Sequence, residues 1–242
     1  MKYIRKSGIL LFWLALWFAV SHLVKNSLVL VGPEEVFMAL GRLLPSSAFW
    51  MAVGCSLWHI VSGFLAGFFT GVLLGGAAYR FPFFRELIAP VISLMKAVPV
   101  ASFVILALIF MGSKNLAFLI VFLLVIPVVY YNTLSGFQST DPKLLEMAKI
   151  FRIPAGKRLT GIYRPALRPF FISAAQTAVG MSWKSGTAAE VIGVSAGSIG
   201  EKLYLSKVYL ETADLFAWTI TIIVLSMLCE KFFVGLLKRC LR

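Results

Sequence analysis

Charge is what this sequence has least of. Only 14% of its 242 residues are charged, where a soluble domain carries about 25%. Acid is the scarcer sign, with 10 Asp and Glu against 23 Lys and Arg. With 60% hydrophobic residues, one water-facing core could not bury so much apolar surface, and lipid is the expected solvent. Cysteine and histidine are also rare. Cys55, Cys229 and Cys240 are scattered, which excludes a disulfide framework or a metal-ligand spacing; Cys55 and Cys229 read as small hydrophobes. His22 and His59 stand far apart, and an imidazole metal site needs partners. No phosphate loop of the G-x-x-x-x-G-K-[ST] type occurs, "GSIGEK" being too short. No Ser/His/Asp set converges in a plausible pocket. The chain is therefore expected to hydrolyse nothing, and to bind no metal and no cofactor of its own. Internal repeats and low-complexity linkers are missing too, so residues 1–242 read as one domain.

What is present is apolar sequence in span-length runs. A membrane helix needs about 20 mostly apolar residues and satisfies its backbone groups internally. Six candidates fit, at about 7–24, 50–78, 87–111, 116–134, 170–194 and 213–237. The expected fold is all-α and polytopic. With the N-terminus inside, segments 1–6, 79–86, 135–169 and 231–242 hold 16 of the 23 basic residues. That asymmetry places both termini in the cytoplasm. It also explains the net charge of +13 without nucleic acid, which is not expected as a partner. Ala19-Val20-Ser21 leaves open a cleaved signal in place of the first span, but its 18-residue apolar run exceeds the usual signal core of roughly 7–15 residues.

Segment 25–48 contains "GPEEVFMALGRLLPSS". Pro33 suits a first helical turn, and Glu34 and Glu35 suit its positive end. Val36, Phe37, Leu40, Leu43 and Leu44 make one apolar side, expected to lie on the outer membrane surface. In the second run, Gly63, Gly67, Gly71 and Gly75 recur every four residues, which makes a groove for close helix packing. Pro99 and Pro127 are expected to kink the third and fourth spans.

The stretch 139–169 stands apart from its apolar surroundings. Asp141-Pro142 is an N-cap followed by a first-turn proline. Lys143, Glu146, Lys149 and Arg152 then alternate with Leu144, Leu145, Met147, Ala148 and Phe151, an amphipathic helix of about three turns. Pro154 interrupts it. A second short helix is expected from Ala155 to about Tyr163, ended by Pro165 and Pro169. Either a surface for anionic lipid headgroups or a docking element for a partner protein fits this pattern.

Spacing within this stretch resembles the cytoplasmic signature loop of permease subunits of ATP-binding-cassette importers: Glu-Ala-Ala, Gly, then Ile-x-Leu-Pro. Glu146, Met147 and Ala148 stand at the first positions, Ile162 follows Glu146 by 16 residues and Pro165 by 19. The departures are Met147 for Ala, Arg152 for Gly and Arg164 for Leu, and Arg152 implies a break shifted to Pro154 and Gly156. "VGPEEVFMAL", "LIFMGSKNLAFLI", "LSGFQSTDPKLLEMAK", "WKSGTAAEVIG" and "GSIGEKLYLSKVYLETADLFAWTI" extend the resemblance along the chain to the nitrate/sulfonate/taurine branch. It implies a type I importer in the bacterial inner membrane, working as a homodimer. Its partners would be a cytoplasmic ATPase dimer, which holds the ATP and Mg, and an extracytoplasmic substrate-binding protein. Glu146, Met147, Ala148, Phe151, Arg152, Ile162 and Pro165 would dock the ATPase as a coupling helix pair. The rival is an ATP-independent secondary transporter, which usually shows inverted repeats.

Three ionisable residues fall inside expected spans: Lys96, Lys184 and Glu190. Such groups cost about 2.5–3.5 kcal/mol at mid-bilayer on insertion scales, so they face a bundle interior, a dimer seam or a water path. All three are candidates for the translocation path. Lys184 favours an anionic or polar solute, whose identity the sequence leaves open.

Overall fold

A computed structural model describes residues 2–24 and 30–241. Lys25 and Arg242, both counted in the charge asymmetry, lie outside the described residues. Helices and short connections make up the described residues, with no strand among them. In chain order they are α1 Lys2–Val24, α2 Pro33–Leu43, α3 Ser47–Arg80, α4 Pro82–Ala97, α5 Val100–Met111 and α6 Leu116–Gln138, then α7 Pro142–Ile150, α8 Ala155–Arg158, a π-helical turn Leu159–Tyr163, α9 Arg164–Gly193, α10 Ile199–Val208 and α11 Thr212–Cys240.

Three of these, α3, α6 and α11, are long and apolar enough to cross a membrane. At 34 residues and 1.5 Å rise, α3 is about 50 Å long, beyond the roughly 30 Å hydrocarbon layer. The third expected span is not one rod. It divides into α4 and α5, which meet at 101°. Pro99 explains the break: it has no N–H to donate, and it holds Val98 extended at φ −68, ψ 127. Counted as one broken span, the pair makes a fourth. The 30-residue α9 has the length, but small and polar residues lower its hydropathy. The short apolar stretch of α1 is Leu11–Leu23.

The centre of the bundle is α6, held between α3 and α9. Ile60 and Phe64 of α3, Val121, Val125 and Val129 of α6, and Ala178 and Trp183 of α9 form the main core. α3 approaches α6 along its glycine face. A Cβ at Gly63 would lie 2.6 Å from the Phe118 carbonyl oxygen, at Gly67 2.7 Å from that of Phe122, at Gly71 2.7 Å from Val129 Cβ, and at Gly75 2.8 Å from Thr133 Cβ. Only hydrogen fits at these four crossings.

α2 begins with Pro33, Glu34 and Glu35, but its apolar residues do not form one lipid-facing side. Val36 and Ala39 are buried against Ala217 of α11, and Arg42 pairs with Asp214. Phe37 and Met38 remain exposed. α2 is thus a strap across the end of α11, because Val31, Val36 and Ala39 find an apolar partner there.

Candidate functional site

Segment 139–169 is built by local rules that its sequence carries. Asp141 accepts a hydrogen bond from the Lys143 backbone N–H at 2.9 Å and caps α7. At the other end Arg152 N–H donates to Lys149 O, and Ile153 N–H donates to Ala148 O. These two bonds are the paired C-terminal closure that normally places glycine in the left-handed position. Arg152 takes that conformation itself, with φ 51. The break spans residues 151–154: Pro154 lies in it, as expected, and caps α8, whereas Gly156 lies within α8.

Pro165 and Pro169 do not end the second helix either. α8 passes through the π turn Leu159–Tyr163 directly into α9, with Pro165 in the first turn of α9 and Pro169 inside it. The wider turn changes the hydrogen-bond register just before Pro165, the residue with no N–H to give. Residues 155–193 therefore form one continuous helical path from the turn after α7 into the bundle.

α7 turns Ala148 inward, at 1% exposure, while Leu144, Met147, Ile150 and Phe151 are exposed. Glu146 is exposed beside them and Leu145 is half-buried. Ile162 is half-buried and Pro165 exposed. The outward apolar face of α7 thus runs through Leu144, Met147, Ile150 and Phe151 rather than through Leu145 and Ala148.

Along α9 the two faces differ sharply. Ala174, Ala175, Ala178, Val179, Ser182, Trp183, Gly186 and Ala189 are buried. Ser173, Gln176, Thr177, Gly180, Lys184 and Ala188 are exposed and follow helical spacing. Lys184 has no carboxylate partner among the described residues. Gln176 donates to Glu230 of α11 at 3.4 Å.

Glu190 lies elsewhere. It is fully buried, which removes it from any accessible path in this conformation. Ser56 Oγ of α3 donates to its Oε2 at 2.6 Å, and the Gly200 N–H donates to the same oxygen at 3.2 Å. Ser56 Oγ in turn accepts from the Ile199 N–H at 2.9 Å. Glu190 and Ser56 thus cap the N-terminus of α10 and tie α3, α9 and α10 together. A Cβ at Gly200 would come within 2.2 Å of Glu190 Cβ, so the close approach depends on glycine. Lys96 is exposed, with its Nζ 5.5 Å from the Tyr131 ring centre, a cation–π contact.

Residues 63–241 match the family described as binding-protein-dependent transport system inner membrane component. The chain belongs to that family. It is a multi-pass permease subunit of an ATP-binding-cassette importer, in the nitrate/sulfonate/taurine branch, and is a transport component rather than a catalytic one. It is 25% identical over 231 residues to the putative aliphatic sulfonates transport permease protein SsuC of Bacillus subtilis (strain 168), covering 93% of this chain and 82% of that protein. It is 24% identical over 230 residues to the taurine transport system permease protein TauC of Escherichia coli (strain K12), covering 92% and 83%. It is 26% identical over 143 residues to the nitrate import permease protein NrtB of Synechococcus elongatus (strain ATCC 33912 / PCC 7942 / FACHB-805), covering 59% and 51%. A secondary transporter is not favoured.

Sequence reasoning on the permease missed Ser56 and the Arg42–Asp214 and Gln176–Glu230 pairs. Ser56 gives no signal in sequence, being 134 positions from Glu190. Asp214 and Glu230 did give one: each is an acid in or beside an apolar run, where a partner is needed.

Proposed function

We propose that two copies of this permease enclose a path for a small organic or inorganic anion, and that a cytoplasmic ATPase docks on α7 of each copy. The observation that carries this reading is mechanical. The exposed face of α7 connects, through one closed turn at Arg152, to the unbroken helical path 155–193 that bears Lys184. A push on α7 therefore reaches mid-bilayer without crossing a flexible linker.

In this reading the chain has six spans and both termini are cytoplasmic. α1 supplies the first, the α4–α5 pair the third and α9 the fifth. Leu144, Met147, Ile150 and Phe151 fill a groove on the ATPase, and Glu146 fixes register through a charge-assisted hydrogen bond. Arg152, Ile162 and Pro165 shape the turn and the π segment behind that face. A polar stripe with an unpaired lysine is costly against lipid, so Ser173, Gln176, Thr177, Gly180 and Lys184 face the second copy or water. The bicarbonate permease CmpB, like the sulfonate, taurine and nitrate relatives, is named for a solute with an anionic oxygen group. Lys184 supplies the complementary charge for that class, and an extracytoplasmic binding protein delivers the solute. Lys96, held over Tyr131 at the α4–α5 bend, lies next to the path rather than on the coupling route.

The test is purification of the permease from its native membrane in mild detergent. The expected result is co-purification of an ATPase subunit, abolished by Glu146→Lys at equal permease yield. Recovery of the permease with no ATPase, or an ATPase retained equally by the Lys variant, contradicts the docking face proposed for α7.

A further inference from the structure

A second basic feature lies between the end of α3 and the α8 segment, with no α7 residue lining it. Tyr79 and Arg80 at the end of α3, with Ala155, Gly156, Arg158 and Leu159 of α8 and Tyr163 of the π turn, line a cleft of about 810 Å³. Two of the lining residues, Tyr79 and Tyr163, belong to an aromatic cluster. Tyr79 stacks on Phe137 at 4.8 Å, Tyr163 meets Phe137 edge-on at 5.3 Å, and the Tyr79 and Tyr163 hydroxyls lie 3.4 Å apart. Two arginines border the cleft, Arg158 and Arg80, the latter with its guanidinium carbon 5.7 Å from the Phe81 ring centre. Neither Arg80 nor Arg158 has a carboxylate partner among the described residues. The nearest acid in the neighbouring cavity, Glu86, shares it with Arg85.

The cleft lies at the helix end. Arg80 is the last residue of α3, and in the orientation given under Proposed function that end of the bundle is cytoplasmic. Phe81 and Phe83 follow at 58% and 78% exposure, and Leu159 on the other wall is 54% exposed. A ligand with an anionic head and apolar tails meets guanidinium and phenol groups at the head and exposed aromatic and aliphatic side chains along the tails. A single guanidinium can bind phosphate through two parallel N–H bonds, and basic pockets between helices at the cytoplasmic surface suit anionic lipid.

We infer that this cleft is a binding site for the phosphate headgroup of an anionic phospholipid, held by Arg80 and Arg158. The lipid bridges α3 to the α8 segment and holds the coupling segment against the bundle. This rests on the orientation given under Proposed function, but not on the ATPase docking face.

The test is native mass spectrometry of the detergent-purified permease titrated with phosphatidylglycerol or phosphatidylcholine of identical acyl chains. Both lipids carry a phosphodiester, but choline offsets its charge in phosphatidylcholine; at about 1 kcal/mol per basic residue, two arginines predict a preference for the net-negative phosphatidylglycerol of about 30-fold. It falls to near parity in the R80Q/R158Q double variant, survives in R80K/R158K, and is untouched by K143Q/K149Q on the exposed side of α7. Equal binding of the two lipids overturns the inference, as does a preference that persists in R80Q/R158Q or one lost equally in K143Q/K149Q. Displacement of the lipid by millimolar inorganic phosphate also overturns it, and points to a soluble anion. Gel filtration of each variant separates loss of the site from loss of fold. A failed lipid preference with ATPase capture intact refutes the lipid site alone. A retained preference without ATPase capture refutes the docking reading alone.

Discussion

At residue scale, Arg152 carries a conformation that favours glycine, and its side chain has no hydrogen bond among the described residues. A left-handed non-glycine residue costs roughly 1–2 kcal/mol, partly offset by the greater unfolded-state freedom of glycine. Arg152→Gly should stabilise the isolated permease by about 0.5–1 kcal/mol, read as a higher thermal midpoint; an unchanged or lower midpoint shows that the turn is relaxed as it stands. Ser56 is the opposite case. Removing its hydroxyl strips a donor from buried Glu190 and an acceptor from the Ile199 N–H. Ser56→Ala should cost about 1–3 kcal/mol, and a midpoint within error of the parent counts against the cap. The Asp141 N-cap was legible in the sequence, because it rests on neighbours within a few positions. The partner of Glu190 was not, since only the packing of α3 on α9 brings Ser56 to it.

Among the elements, the crossing of α3 on α6 is the firmest contact. A Cβ at Gly71 would meet Val129 Cβ at 2.7 Å, while Gly54 on the same helix has nothing within 4 Å. Gly71→Leu should destabilise by at least the 1–3 kcal/mol or so typical of overpacking, and Gly54→Leu should be close to neutral. Equal effects would show that helix propensity rather than the crossing decides. The four-residue glycine spacing announced this face, but not which helix meets it. Proline was read less well. Pro99 announced a kink without its size, 101° between α4 and α5. Pro165 and Pro169 were read as stops because a local rule counts the missing N–H and clash, whereas a π turn upstream changes the register into which Pro165 fits. The apolar residues of α2 were assigned to the membrane surface because nothing local reveals that Ala217 of α11 lies under Val36 and Ala39.

For the whole molecule, the proposed function joins an outer docking face to a polar stripe through 155–193. Lys184→Met should lower uptake of the anionic solute about tenfold or more, the loss of one unscreened charge contact being worth roughly 1–3 kcal/mol. Lys184→Arg should keep most of it, and full uptake by the Met variant removes Lys184 from the path. The coupling itself is tested most directly by the distance between the two copies of position 184. Cys55, Cys229 and Cys240 are replaced by Ser, Lys184→Cys is spin-labelled, and the pair is measured by pulsed electron resonance in the assembled transporter with and without trapped ATP. Rigid transmission from α7 predicts one distance between copies that shifts when ATP is trapped, and that stops responding when Glu146→Lys is added. A distance that stays fixed while labels on α7 move would contradict the helical connection from the coupling segment to the path.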